Sequence, residues 1–155
     1  MEVAKMFKGH ELFQSISFEE VDRISNFSRT LDYQPGDVVF SSGERGHQFF
    51  VLLEGRVNLR LPASEIDTSL VVGRIEKGDI FGLSPLLGFE HFTTTAQCAE
   101  CSTILVIDVA PFREMLAGNT RVDAYIMNVI ARAYFTRYLE VLRRFQNILN
   151  EIAMH

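Results

Sequence analysis

Residues 35–61 read PGDVVFSSGERGHQFFVLLEGRVNLRL. Three short apolar runs (38–40, 49–53 and 57–61) are rich in Val, Leu and Phe, and Gly, Pro, Asp and Ser stand between them. Pro35-Gly36-Asp37, Ser42-Gly43 and Glu54-Gly55 are turn signals, because Gly admits positive φ, Pro presets φ, and Asp and Ser side chains bond the nearby backbone. Helical spacing is absent. The alternation continues through runs at 70–75, 92–97 and 103–107, with Lys77-Gly78-Asp79 as a further turn. Short strands at near-regular spacing predict a β sandwich or barrel over residues 30–108. Residues 61–69 form the longest polar loop and are expected to tolerate insertion.

Helical patterns flank this block. Residues 1–29 read as short N-terminal helices that lie as a lid on something larger. Ser17-Phe18-Glu19-Glu20 is a capping box, and Phe18, Val21, Ile24 and Phe27 share one face of the helix that follows. Residues 109–155 return to helix. Pro111 suits the first turn of a short helix ending near Gly118. From Thr120 to Glu151 there is neither Gly nor Pro, which predicts one helix about 45 Å long. Its first half (Val122, Tyr125, Ile126, Val129, Ile130) supplies a face for the chain's own core. Leu142, Phe145, Leu149 and Ile152 recur at alternating spacings of three and four, with Tyr138 one turn earlier. The pattern reads either as packing on the chain's own barrel or as a coiled-coil-like seam, and the homodimer seam is preferred because the first half already serves the interior.

Composition narrows the function classes. The chain has 155 residues, 47% hydrophobic and 23% charged, ordinary for a soluble globular domain. Thirteen Phe and no Trp predict a Phe-rich core. A formal charge of −5 disfavours general binding of nucleic-acid backbones. No 18-residue apolar run, export signal or cleavage site is read, so the expected location is cytoplasmic, with no membrane partner. The two cysteines, Cys98 and Cys101, cannot supply the four protein ligands of an iron–sulfur cluster. Their C-x-x-C spacing falls in a strand–turn–strand segment, which reads as one core-facing and one turn thiol rather than a redox pair. The four His residues (10, 47, 91, 155) lack metal-ligand spacing, and no nucleophile–base set or nucleotide fingerprint loop is found. The chain is therefore read as not an enzyme.

The ordered set Leu12-Phe13, Pro35-Gly36-Asp37, Gly43-Glu44, Glu54-Gly55, Gly78-Asp79 and Phe81-Gly82 resembles the cyclic-nucleotide-binding domain, the sensor domain of catabolite-activator and FNR-type regulators. The resemblance covers residue 12 to about residue 150. It implies a mainly β fold: an eight-stranded jelly roll with flanking short N-terminal helices and a long C-terminal helix that often forms a dimer interface. It also implies a phosphate-binding cassette at Phe81-Gly82-Leu83-Ser84-Pro85-Leu86-Leu87, completed by Thr94-Thr95-Ala96. There a short helix after the glycine would turn free N–H groups toward the ligand phosphate. The ligand-binding residues implied are Gly82, Leu83, Ser84, Leu86, Thr94, Thr95 and Ala96. The long helix would approach them near Tyr125 and Tyr134.

Two positions depart from the family's pattern. The resemblance implies a Glu after the glycine, on the ribose hydroxyl, and an Arg before Thr/Ser-Ala, on the cyclic phosphate. Here those positions hold Leu83 and Thr94. An Arg–phosphate fork contributes two charge-assisted bonds, and its loss removes about 3–6 kcal/mol, roughly two to four decades of affinity. Ordinary cAMP or cGMP binding is therefore disfavoured. His91 either replaces the Arg in part or is a solvated loop residue. Thr93, Thr94 and Thr95 either bind or are plain strand residues. The apolar cassette (Leu83, Leu86, Leu87, Phe89) either lines a pocket for an uncharged or aromatic ligand or fills it.

The winged helix-turn-helix of the transcription factors would follow the long helix, and this sequence ends at His155 directly after it. The expectation is a module that does not bind DNA by itself. Arg132, Arg137, Arg143 and Arg144 are expected on the helix's solvated face or in interchain pairs. The reading is a regulatory ligand-sensing module, homodimeric, with a small-molecule effector or a protein partner. The alternatives are a ligand-free interaction scaffold and the sensor fragment of a transcription regulator.

Overall fold

The computed structural model describes residues 13–14, 16–62 and 70–154. Expectations for Leu12, His10, His155, most of the 61–69 loop and the first helices of the lid fall outside these residues. The described elements are helix α1 (Phe18–Ser25), strands β1 (Ser28–Tyr33), β2 (Val38–Phe40), β3 (Gln48–Glu54), β4 (Val57–Arg60), β5 (Val71–Ile75), β6 (Ile80–Phe81), β7 (Thr95–Cys98) and β8 (Ser102–Asp108), and helices α2 (Val109–Ala117) and α3 (Thr120–Ala153). The strands form two antiparallel four-stranded sheets, ordered β1-β8-β3-β6 and β2-β7-β4-β5. This is the eight-stranded jelly roll with a long C-terminal helix.

β3 and β8 explain the architecture. Both are continuous apolar runs, the mark of strands buried on both faces. Phe50, Leu52, Ile104 and Val106 enter the core between the sheets. Phe49, Val51, Leu53, Leu105 and Ile107 point outward into a second core, closed by Phe13, Ile16, α1, α2 and the first half of α3. β4 and β7 alternate instead, with one face buried. The inner core is Phe-rich as expected: Phe40 stacks on Phe92 at 4.0 Å and on Phe50 at 5.4 Å, and Phe50 on Phe81 at 5.4 Å. Each buried ring contributes about 1.5–3 kcal/mol.

Several local expectations are corrected. β1 (SRTLDY) is a six-residue edge strand with no apolar pattern: it is held by backbone pairing to β8, and its middle is exposed. β6 is only two residues long, too short for a periodic signal. The expected run 92–97 is strand only from Thr95, because Phe92 turns into the inner core and the chain bends at 93–94. Phe18 does not share the buried face of α1: it is 73% exposed, while Val21 and Ile24 are buried. The capping interaction stands, with Ser17 Oγ accepting from the Glu20 N–H at 3.3 Å and donating to Glu20 Oε1 at 3.1 Å. The two thiols divide as read, Cys98 in the inner core and Cys101 exposed. Burial pushes the Cys98 thiol up, against the Ser102 hydrogen bond, which acts the other way.

The five turn glycines Gly36, Gly43, Gly55, Gly78 and Gly82 all have positive φ. At Gly55 a Cβ would also lie 2.3 Å from Ser102 Oγ and 2.4 Å from the Cys101 carbonyl oxygen, whereas at Gly36 it would meet nothing within 4 Å. Gly36→Ala is therefore expected to cost about 1–2 kcal/mol from backbone strain alone. Gly55→Ala adds the overlap, for roughly 2–5 kcal/mol in total. Urea unfolding of the two variants checks the order, and equal losses would contradict the packing described at the β3–β4 turn.

Candidate functional site

The open side of the roll lies between two edge strands, β5 of one sheet and β6 of the other. Edge strands leave backbone carbonyls without ladder partners. α3 crosses this side and covers them. The Arg137 guanidinium donates through Nη2 to the Ile80 carbonyl of β6, and Arg144, two helical turns on, donates through Nη1 to the Val71 carbonyl of β5. The expectation for both is the solvated face or interchain pairs. They turn inward because uncovered edge carbonyls are the acceptors within reach. Arg143 is exposed, as read.

Between α3 and the roll lies a cavity of about 280 Å³, just below the usual range for small-molecule pockets. Its roll side is Phe40, Leu59, Val72, Gly73 and Phe92; the cassette contributes Gly82, Leu83, Ser84, Thr93 and Thr94; the helix contributes Tyr134, Arg137, Tyr138 and Val141. Gly82 sets the floor. It has φ +65°, and a Cβ there would lie 2.6 Å from Phe50 and 2.9 Å from Phe40, so the chain passes directly over the phenylalanine stack.

The cassette is a single turn, not the expected short helix. Phe89 N–H donates to the Ser84 carbonyl at 2.9 Å and Gly88 N–H to the Pro85 carbonyl at 3.3 Å, with Gly88 at φ +90°. This is a Schellman closure arriving one turn after the start. Leu83 is 1% exposed; it packs into the outer core and shows only an edge to the cavity. The apolar residue at the expected Glu position is thus mostly structural filling.

Of the expected binding residues, the structure brings Gly82, Leu83, Ser84, Thr94 and Tyr134 to the cavity. Leu86 is buried in the outer core, and Ala96 is fully buried in the inner core. Thr95 is occupied as a loop tie, its Oγ1 accepting from the Ser42 N–H at 3.0 Å. Tyr125 packs against the outer core, away from the cavity. The helix segment that reaches the cavity is 134–141, one to two turns beyond the expected 125–134. His91 is exposed and bridges to Arg45 through the backbone.

Sequence reasoning missed Phe40, Phe92, Arg137 and Val141 as cavity residues. The heptad spacing of Tyr134 and Val141, with Arg137 and Tyr138 between them, was the available signal. Burial lowers the Arg137 pKa from the arginine value, while Tyr134, Asp79 and Glu140 act to raise it. Burial raises the Tyr134 phenol, against the opposing pull of Arg137. The Arg137 guanidinium lies 5.8 Å from the Tyr134 ring centroid. Among the described residues no group of three or more His, Cys, Asp or Glu could hold a metal ion, and no helix is long and apolar enough to cross a membrane.

Comparison with known proteins agrees with this fold. A putative cyclic nucleotide-binding protein from Geobacter metallireducens has a solved structure with a TM-score of 0.75 and 25% identity, covering 89% of this chain and 99% of that one. The sensor domain of the transcriptional regulator DNR from Pseudomonas aeruginosa superposes with a TM-score of 0.73 at 18% identity, covering 83% of this chain and 91% of that one, a likeness of fold. A cGMP-dependent protein kinase of Drosophila melanogaster (isozyme 2 forms cD5/T2) is 26% identical over 119 residues, 76% of this chain; the chain spans only 13% of the kinase's length. Residues 30–119 match the family described as the cyclic nucleotide-binding domain, and with more than half of the chain inside that match it belongs to this family.

Proposed function

We propose that the chain is a non-catalytic ligand-sensing module in which a small molecule occupies the cavity between the cassette and α3, and α3 carries the signal. The observation that supports this most is that Tyr138 and Val141 belong to two surfaces at once. They line the cavity, and they begin an exposed apolar stripe along the distal half of the helix. A ligand that prefers one position of α3 over another shifts the helix, and with it whatever the stripe contacts.

The stripe supports a homodimer. Residues Val122, Ile126, Val129 and Ile130 are buried against the roll, as expected, and beyond them the apolar residues of α3 face outward. Leu142 is 43% exposed, Phe145 59%, Leu149 50% and Ile152 67%, too much apolar surface in one row for a solvated helix face. Phe135, Val141 and Ile148 are exposed as well and widen the expected seam. Rows at spacing seven (135, 142, 149 and 138, 145, 152) are the a and d positions of a two-stranded coiled coil. Placing Asp at Phe145 and Leu149 together is expected to convert a dimer to a monomer in sedimentation equilibrium, with the roll still folded by circular dichroism. An unchanged mass would refute the seam.

Cyclic nucleotides of the ordinary kind are disfavoured as the ligand. The cassette presents Thr94 where a phosphate-binding Arg would stand, and Leu83 is packed into the outer core where a ribose-binding Glu would stand. Calorimetry with cAMP and cGMP is expected to show millimolar or weaker binding, and micromolar affinity for either would overturn this reading. Thr94→Arg is the matched gain-of-function test. It restores the fork and is expected to strengthen cAMP binding by roughly two to four decades.

A further inference from the structure

Arg137 and Arg144 share one task and differ in another. Each donates to an edge carbonyl of the roll. Arg144 sits over a polar surface groove with Arg74, Glu76, Lys77, Asp79 and Glu140. Among the described residues Arg137 alone also faces the apolar cavity, where it is the single described cation, and no described Asp or Glu lines that cavity. In a chain of net charge −5 this is a local inversion of sign. Among the described residues the ion pairs are Arg45–Glu90 and Lys77–Glu54, so Arg137 has no carboxylate within 4 Å. Asp79 and Glu140 line a neighbouring depression on its other side and act on it only through space.

A guanidinium carries five N–H donors. Arg137 commits Nη2 to the Ile80 carbonyl and rests beside the Tyr134 ring, which leaves donors for an incoming group. A largely desolvated cation with no carboxylate in direct contact is costly, and an oxyanion held by a two-bond fork is the partner that relieves that cost best. The rest of the cavity suits a flat apolar body: Phe40 and Phe92 on one wall, Tyr134 and Tyr138 on the other, and hydroxyls of Ser84, Thr93 and Thr94 at the cassette edge.

Resting on the ligand-sensing reading above, we infer that Arg137 is the anion-recognising group of the cavity, and that the ligand class is a small molecule joining an oxyanion, carboxylate or phosphate ester, to a planar apolar body. The anion contact then lies on the moving helix instead of the cassette. Binding draws on the same guanidinium that pins α3 to β6, so charge recognition and helix position are coupled through one side chain.

The test is calorimetry on the full chain with four matched probes: 1-naphthoate and 1-naphthyl phosphate as the anions, 1-naphthamide and 1-naphthalenemethanol as their neutral counterparts. The anions are expected to bind at least about tenfold more tightly than the neutral pair, and which anion is tighter separates carboxylate from phosphate. Arg137→Gln is expected to erase the preference and Arg137→Lys to keep part of it. Arg144→Gln, which loses an edge pin but no cavity charge, is expected to leave it intact. Should Arg137→Gln unfold, the Nε–H resonance of Arg137 in the wild-type chain gives an independent readout and is expected to move with the anions only. Neutral probes binding as tightly as anions, unaltered anion binding in a folded Arg137→Gln, or no binding of either anion at millimolar concentration overturns the inference. Hydrogen exchange along residues 134–152 separates it from the broader reading. Neutral probes that bind as tightly as the anions and alter α3 exchange would sink the inference alone, whereas anions that bind through Arg137 without altering it would sink the sensing reading and the coupling to helix position while the anion contact stands.

Discussion

Burial of β3 and β8 on both faces is the constraint on which the molecule depends. These adjacent strands divide the interior into two cores with different jobs. The inner core is a phenylalanine stack between the sheets, and it fixes the floor of the cavity, because Gly82 lies against Phe50 and Phe40 with no room for a side chain. The outer core binds the proximal half of α3 to the roll through Val122, Ile126, Val129 and Ile130. One end of the helix is thus anchored by apolar packing, and the floor opposite its middle is rigid. The segment 134–144 beyond the anchor is tied to edge carbonyls through Arg137 and Arg144, contacts more easily exchanged than packed side chains.

In the sensing mechanism proposed above, that division lets the helix work as a lever. Buried apolar contacts are lost only at a cost of several kcal/mol each, so the proximal half stays put. The distal half carries the exposed row Leu142, Phe145, Leu149 and Ile152, and its described tie to the roll is the Arg144 contact with β5. On that proposal, a modest change at Tyr134–Val141 re-aims the distal half relative to the roll. A second copy on that row would amplify the change, since paired helices shift together.

Much of the fold was legible in the sequence, for reasons that particular residues make plain. The glycine turns declared themselves because positive φ leaves few alternatives to Gly, and at Gly55 close approach to Ser102 adds to this. The two-faced strands showed as unbroken apolar runs. What escaped was structure made by backbone pairing alone, as in β1 and β6, where side chains carry no pattern. The site was half legible. Gly82, Ser84 and Thr94 fell in the cavity because the cassette's turn is local in sequence. The opposite wall depends on where a long helix crosses the roll, and no local pattern specifies that register. Arg137 read as a surface charge for the same reason: its burial comes from an edge carbonyl 57 residues away in the chain.

In the proposed mechanism, cavity contents and helix position are coupled. A distance distribution between spin labels at exposed Arg143 on α3 and exposed Glu100 on the β7–β8 turn measures this coupling directly. With 1-naphthyl phosphate at saturation the distribution is predicted to shift or narrow to a single population. The same distribution with and without the bound molecule would contradict the account.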